Sequence, residues 1–199
     1  SGFRASSTRC STRCEAPCPA GRVESGEYVN GGIRGLSFLA GKRGSGKSEE
    51  LARLIAPCDR VLVIDTCSQF RLTGYTLFHE PGMLRLIMRE HLRSPYRFHY
   101  QPKAGNRLLH FEAVMQIALA CRELIIAIDE IDAYCDPASL TKLSRAEMAQ
   151  YFPGKNPALY ELVNYGRHYR ISMIYTARRH VQVARELTSQ TSEFRVFRM

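Results

Sequence analysis

The stretch LAGKRGSGKSEEL, residues 39–51, constrains the fold of this chain more than any other part of the sequence. It lies between an apolar run at 35–40, typical of a buried strand, and a run at 48–56 whose apolar residues have helical spacing. Its three glycines are Gly41, Gly44 and Gly46. A strand, a glycine-rich loop and a helix in this order indicate an α/β domain rather than an all-helical or all-β one.

The loop also has the spacing of a phosphate-binding loop, with Gly41, four further residues, and then Gly46, Lys47 and Ser48. Glycines let backbone N–H groups face a phosphate without a Cβ clash, and the helix N-terminus adds partial positive charge. A flexible turn is the alternative, but the strand before the loop and the helix after it favour a phosphate site. Lys47 would reach the β- and γ-phosphates of ATP, and the Ser48 hydroxyl would bind Mg²⁺. The predicted nucleotide-binding residues are Gly41, Lys42, Arg43, Gly44, Ser45, Gly46, Lys47, Ser48 and Glu49.

A second segment, LIIAIDEID at 124–132, is an apolar strand that ends in acidic residues. Buried carboxylates are costly unless they are paired or bind a metal. Asp129 at the strand tip is therefore predicted to hold Mg²⁺, and Glu130 to act as the general base toward a water molecule. The alternative is a strand end capped by solvated acids.

The arginine-rich segment that follows, NYGRHYRISMIYTARR at 164–179, supplies candidates for the positive group that phosphate hydrolysis needs. If the strand at 171–177 lies next to the Asp129 strand, Thr176 at its tip would act as a polar sensor near the γ-phosphate. Arg167 is the candidate arginine finger toward a neighbouring subunit. Arg178 follows the strand and is the other candidate catalytic arginine. For each arginine, a solvated helix end is an equally good interpretation.

The rest of the chain alternates between strand-like and helix-like runs, which predicts parallel pairing in an α/β sandwich. The predicted strands are 35–40, 60–66, 96–101, 123–130, 171–177 and 193–199. The predicted helices are 48–56, 81–92, 109–121, 157–169 and 180–190. Residues 1–27 lack apolar periodicity, so we expect a disordered or poorly packed tail before a single ATPase domain at 28–199.

The net charge and the cysteine content indicate which class of partner and which redox compartment to expect. The 28 Lys and Arg residues exceed the 19 Asp and Glu residues by nine, which suits a polyanion partner, nucleic acid above all. A merely basic protein is an equally good interpretation of the charge alone. Seven scattered cysteines argue against a disulfide framework and for a reducing compartment. The spacing of Cys10, Cys14 and Cys18 lacks the paired pattern of zinc sites. No apolar run reaches the length of a membrane span, so the chain is not expected to cross a membrane itself.

Four segments together resemble the FtsK–HerA superfamily of P-loop motor ATPases, and within it the genome-packaging ATPases of tailless viruses with internal membranes. The segments are GKRGSGKS, RVLVIDTCSQF, LIIAIDEID and GRHYRISMIYTARR, within residues 30–199. The family has Gln after the Thr of the last segment, where this chain has Ala177, so Thr176 or Arg178 is left as the sensor. The resemblance implies a RecA-like P-loop NTPase core built as a three-layer sandwich around a mainly parallel central sheet.

The same resemblance implies a homo-oligomer in the form of a hexameric ring, with ATP between subunits and double-stranded DNA in a basic pore. The small size of the chain favours the packaging branch, with capsid or membrane vertex proteins as further partners, in the host cytoplasm or in the virion. A HerA-like cellular or conjugative motor and a zonular-occludens-type phage assembly or export protein are the alternatives. The segment 133–156, which carries Lys142, Arg145 and Lys155, is a candidate pore loop or an ordinary surface excursion.

Overall fold

The computed structural model describes residues 32–92, 94–103, 107–134, 158–179, 183 and 185–198. The strands are β1 (Leu36–Ala40), β2 (Arg60–Asp65), β3 (Thr76–Phe78), β4 (Tyr96–Tyr100), β5 (Ile125–Asp129), β6 (Ser172–Ala177) and β7 (Glu193–Val196). The helices are α1 (Lys47–Ile55), α2 (Pro81–Glu90), α3 (Arg107–Cys121), α4 (Ala158–Tyr165) and α5 (Arg185–Gln190). Short 3-10 helices span Ile131–Ala133 and Gly166–Tyr169.

The strands form one seven-stranded sheet in the order β3-β4-β2-β5-β6-β1-β7. Every neighbouring pair is parallel, so the carboxyl ends of all strands meet at one edge. The two central runs, β2 and β5, are buried along their whole length, as expected for strands covered on both faces. The parallel α/β prediction is confirmed, and β6 lies between β1 and β5.

Helices cover both faces of the sheet, which makes a three-layer sandwich. The core on one face combines alternate strand residues with Leu51 and Ile55 of α1. The core on the other face is larger and draws on the remaining helices, through residues such as Leu84, Phe111 and Leu162. Of the five α-helices that the structure describes, α1 therefore packs on one face of the sheet and the other four on the opposite face.

Several boundaries differ from the sequence predictions. Strand β3 was missed because it is only three residues long and two of them are exposed, so it shows no apolar run. The helix predicted at 157–169 ends as α-helix at Tyr165 and continues as a 3-10 turn, since the chain must reverse into β6 within a few residues. The closing strand stops at Val196.

Some predictions fall outside the described residues. These are the tail at 1–27 with its three cysteines, most of the candidate pore loop at 133–156, and the first part of the helix predicted at 180–190. In the part of the chain that the structure describes, no helix is both long enough and apolar enough to cross a membrane.

Candidate active site

The glycine-rich loop leaves β1 at its carboxyl end and turns directly into α1. Gly44 and Gly46 have φ angles of 74° and 91°, in the left-handed region where a side chain would strain the backbone. Gly41 has a different constraint, because a Cβ there would lie 2.8 Å from the Phe197 Cβ and from the Ser45 hydroxyl oxygen. Gly46 is the N-cap of α1, so the unpaired N–H groups of the first helical turn point toward the loop.

Lys47 is the first residue of α1, and its side chain folds back into the loop. Its ammonium donates hydrogen bonds to the carbonyl oxygens of Gly41 and Lys42, the latter at 2.9 Å. Only 8% of the residue is exposed. Burial lowers the pKa of Lys47, although the nearby carboxylates of Asp129 and Glu130 act in the opposite direction. The ammonium is thus held where a phosphate bound by the loop would meet it.

Asp129 is the last residue of β5, which is separated from β1 by β6 in the sheet. Its carboxylate lies beside the first turn of α1. Its Oδ1 accepts a hydrogen bond from the Thr176 hydroxyl at 2.8 Å and lies 3.4 Å from the Ser48 hydroxyl. Burial raises the pKa of Asp129, and the hydrogen bond from Thr176 opposes that rise. A hydroxyl and a carboxylate at this distance are the oxygen ligands that Mg²⁺ prefers, so Ser48 and Asp129 fit a magnesium ion.

Glu130 follows at the turn after β5, with a φ angle of 52° that is uncommon for a residue with a side chain. Its N–H donates to the Thr176 hydroxyl at 2.9 Å, which fixes the turn against β6. Its carboxylate accepts hydrogen bonds from the Arg178 guanidinium on both oxygens, at 3.0 and 3.1 Å, and from the Cys67 thiol at 2.9 Å. Burial opposes its ionisation, but the hydrogen bonds from Cys67 and Arg178 outweigh that effect and lower the pKa of Glu130.

A buried network below these residues was not predicted. Asp65, at the tip of β2, is fully buried and accepts hydrogen bonds from the N–H groups of Gln69 and Phe70 and from the side chains of His99 and Gln101. Burial disfavours the charged carboxylate, yet these donors together lower the pKa of Asp65. An aspartate ending an apolar run was the available signal, as at Asp129, but its partners come from a different strand and loop.

Thr66 connects this network to the turn that carries Asp129 and Glu130. Its hydroxyl donates to the backbone carbonyl of Asp129 and hydrogen-bonds with the Tyr134 hydroxyl at 3.0 Å. Tyr134 in turn stacks on Phe111 with ring centroids 4.0 Å apart. These contacts join the turns after β2 and β5 to each other and to the core. The two turns are adjacent because Asp65 is opposite Asp129 in the register of the sheet.

The structure brings most of the predicted site residues together at the carboxyl edge of the sheet. Lys42, Arg43, Gly44, Ser48 and Glu49 are exposed there. Arg167 is different, because it lies near Gly35, before β1, at the opposite edge of the sheet. Within one chain Arg167 is separated from the loop by the length of β1.

Similar folds occur among solved structures of viral packaging enzymes. The genome-packaging NTPase B204 of Sulfolobus turreted icosahedral virus 2 in complex with ATP-gammaS has a TM-score of 0.53 and 17% identity, over 82% of this chain and 72% of that chain. The same NTPase in complex with AMP has a TM-score of 0.54 and 17% identity, over 82% and 73%. The DNA-packaging ATPase B204 of Sulfolobus turreted icosahedral virus has a TM-score of 0.51 and 16% identity, over 79% and 72%.

No protein-family model and no curated protein matches the sequence. The likeness to the packaging NTPases is therefore one of fold. It confirms the fold that the sequence predicted, a RecA-like core with a parallel central sheet between layers of helices.

Proposed function

We propose that this protein is an ATPase motor that translocates double-stranded DNA and packages a viral genome into a preformed capsid. One observation carries the ATPase part of the proposal. The Ser48 hydroxyl and the Asp129 carboxylate, which are 81 residues apart in the chain, lie 3.4 Å from each other beside the glycine-rich loop. A single magnesium–nucleotide complex bound by the loop would contact both, with Glu130 next to it.

Different residues of the site would contact different parts of the bound ATP and its magnesium ion. Backbone N–H groups between Gly41 and Ser48 would surround the β- and γ-phosphates, and Lys47 would exchange its carbonyl partners for phosphate oxygens. Ser48 and Asp129 would hold Mg²⁺, which neutralises charge on the phosphate oxygens when it is bound. Because Asp129 is almost completely buried, its orientation is set before any ligand binds.

Hydrolysis would use the residues at the ends of β5 and β6. Glu130 would orient a water molecule and take its proton, which requires that one carboxylate oxygen be released from Arg178. Arg178 has 53% of its side chain exposed, so exchanging this ion pair for a phosphate contact costs little. Thr176 would act as the sensor of the bound nucleotide, a role that its hydrogen bonds to both Asp129 and Glu130 support.

The DNA-translocating part of the proposal is supported by charge and by the fold. The net charge of +9 suits sequence-independent contacts with phosphates. The structures of similar fold are named as genome-packaging NTPases. We propose a hexameric ring in which Arg167 of one subunit acts on the nucleotide of its neighbour. In this proposal the protein works in the host cytoplasm or at the virion, with capsid or membrane vertex proteins as partners.

The test is to measure ATP hydrolysis with and without double-stranded DNA, together with nucleotide affinity. The wild type is expected to hydrolyse ATP and to be stimulated by DNA. Lys47→Ala should lose both affinity and hydrolysis, with a rate reduced by roughly a hundredfold or more. Glu130→Gln should keep nucleotide affinity and lose hydrolysis by about a hundredfold or more, because it removes only the base.

Lys103→Ala is the matched control, since Lys103 is an exposed lysine paired with Glu80 and far along the sheet from the loop. This variant should behave as the wild type does. Hydrolysis that survives in Lys47→Ala, or a wild type that binds no nucleotide, would contradict the ATPase assignment. Hydrolysis that ignores DNA at low and at high salt would contradict the motor assignment alone.

A further inference from the structure

We propose that Cys67 is a positioning residue for Glu130, a role that rests on the ATPase function proposed above. The Cys67 thiol donates a hydrogen bond to Glu130 Oε2 at 2.9 Å, from the turn that follows β2. The two residues are 63 positions apart in the chain and meet only because β2 pairs with β5. The contact would orient the carboxylate so that its other oxygen, Oε1, faces the attacking water.

The two donors on Glu130 differ in what they leave free. Arg178 contacts both carboxylate oxygens, so a Glu130 held by Arg178 has little capacity to accept a proton from water. A thiol has a single proton and contacts one oxygen only. Cys67 can therefore keep its hydrogen bond while the base acts, whereas Arg178 must move away from at least one oxygen.

The two residues that precede Cys67 are held in place by buried hydrogen bonds. The residue before it, Thr66, donates to the Asp129 carbonyl, and Asp65 is held by four hydrogen bonds, two from the turn after β2 and two from the end of β4 and the residue that follows it. Both residues are buried, with Asp65 at 0% and Thr66 at 2% exposure. The thiol is thus fixed relative to the backbone of Asp129 and Glu130, as a positioning group requires.

The kinetic test compares three substitutions at this position. Cys67→Ser keeps a one-proton donor and should retain kcat within about threefold of the wild type. Cys67→Ala and Cys67→Val remove the donor and should lower kcat about tenfold, with KM for ATP and nucleotide affinity unchanged. Cys121→Ala, at the far end of α3, is the matched control and should leave all values unchanged. In a Glu130→Gln background, Cys67→Ala should cause no further loss, because both changes act through one group.

A second measurement, by infrared spectroscopy, does not depend on ATP hydrolysis. The infrared S–H stretching band that disappears in Cys67→Ala reports the hydrogen bond of this thiol in the protein without nucleotide. Glu130→Ala removes the acceptor, so the band should move to higher frequency, while Arg167→Ala should leave it in place.

The outcomes separate this inference from the proposed function. A wild type that hydrolyses ATP, with Cys67→Ala equal to it in kcat or an S–H band unmoved by Glu130→Ala, would overturn the role of Cys67 alone. A loss in Cys67→Ala that is equally large in the Glu130→Gln background would do the same. A wild type that binds ATP without hydrolysing it would overturn both, since Glu130 would then have no reaction to serve.

Discussion

The glycines of the loop between β1 and α1 are required for two different physical reasons. Gly44 and Gly46 adopt left-handed backbone conformations, with open space around the position of a Cβ. Gly41 has an ordinary φ angle, but Phe197 and Ser45 approach it too closely for a side chain. Substitution therefore strains the backbone at the first two positions and displaces neighbours at the third.

Gly46→Ala tests the backbone requirement. A left-handed φ of 91° is unfavourable for alanine by about 1–2 kcal/mol, so we expect a loss of roughly that size in the free energy of unfolding and weaker nucleotide binding. Urea unfolding and a nucleotide titration measure the two effects. Gly82→Ala, in the first turn of α2 with open space around it, is the control and should not destabilise the protein, with a gain of at most about 0.5–1 kcal/mol. Equal effects of the two substitutions would show that φ is not the cause.

Helix α4 begins with its backbone secured by a side chain from a different helix. Glu112 of α3 is 7% exposed and accepts a hydrogen bond from the Ala158 N–H at 2.7 Å, with Gln116 as a second donor at 3.3 Å. An acceptor of this kind satisfies a backbone N–H of the first helical turn, as an N-cap side chain does, and suits the positive end of the helix. The carboxylate thus joins α3 to the helix that leads into β6.

The pH dependence of stability should reveal this cap. Burial raises the pKa of Glu112, so the folded protein binds this proton more tightly than the unfolded chain does. The stability contribution is complete below the ordinary value of 4.5 and is lost as pH rises through the folded pKa. Glu112→Gln does not titrate, so the wild type should lose stability relative to this variant between about pH 4 and about pH 7. Urea unfolding at both pH values checks the sign.

Removing the acceptor altogether distinguishes capping from charge. Glu112→Ala leaves the buried Ala158 N–H without this partner, which should cost roughly 1–3 kcal/mol at either pH. A stability of Glu112→Ala equal to that of Glu112→Gln at both pH values would contradict the capping role.

The whole sheet separates two groups that the proposed reaction needs together. The loop, Asp129, Glu130 and Thr176 share the carboxyl edge, whereas Arg167 lies by Gly35 at the amino edge. Only a neighbouring subunit could bring Arg167 to the nucleotide. A head-to-tail contact between subunits has this property and closes into a ring when the rotation permits.

Mixing two inactive variants tests action between subunits. Arg167→Ala retains an intact loop and Lys47→Ala retains an intact Arg167, so a mixed ring should contain some complete sites, about a quarter of them by random assortment. Each variant alone should be inactive, and ATP hydrolysis should reappear after the two are mixed and reassembled. Arg170→Ala, which changes an exposed arginine paired with Glu123, is the control and should be active alone. A mixture as inactive as its parents would overturn the assignment of Arg167.

The local pattern was enough to predict the parallel α/β class, the loop from Gly41 to Ser48 and the acids at the end of β5. These features depend on short stretches, because glycine conformation, apolar runs and strand ends are properties of neighbouring residues. The position of Thr176 was predicted conditionally, and the pairing of β6 with both β1 and β5 places it beside Asp129.

What depended on the tertiary structure was every contact between segments distant in the chain. No periodicity indicates that Cys67 would face Glu130, that four donors would converge on Asp65, or that Glu112 would cap α4. Nor does the sequence around Arg167 show that this residue lies a full strand length away from the loop. Strand order sets these distances, and strand order follows from how both faces of the sheet are buried, which is a property of the assembled core and not of any one segment.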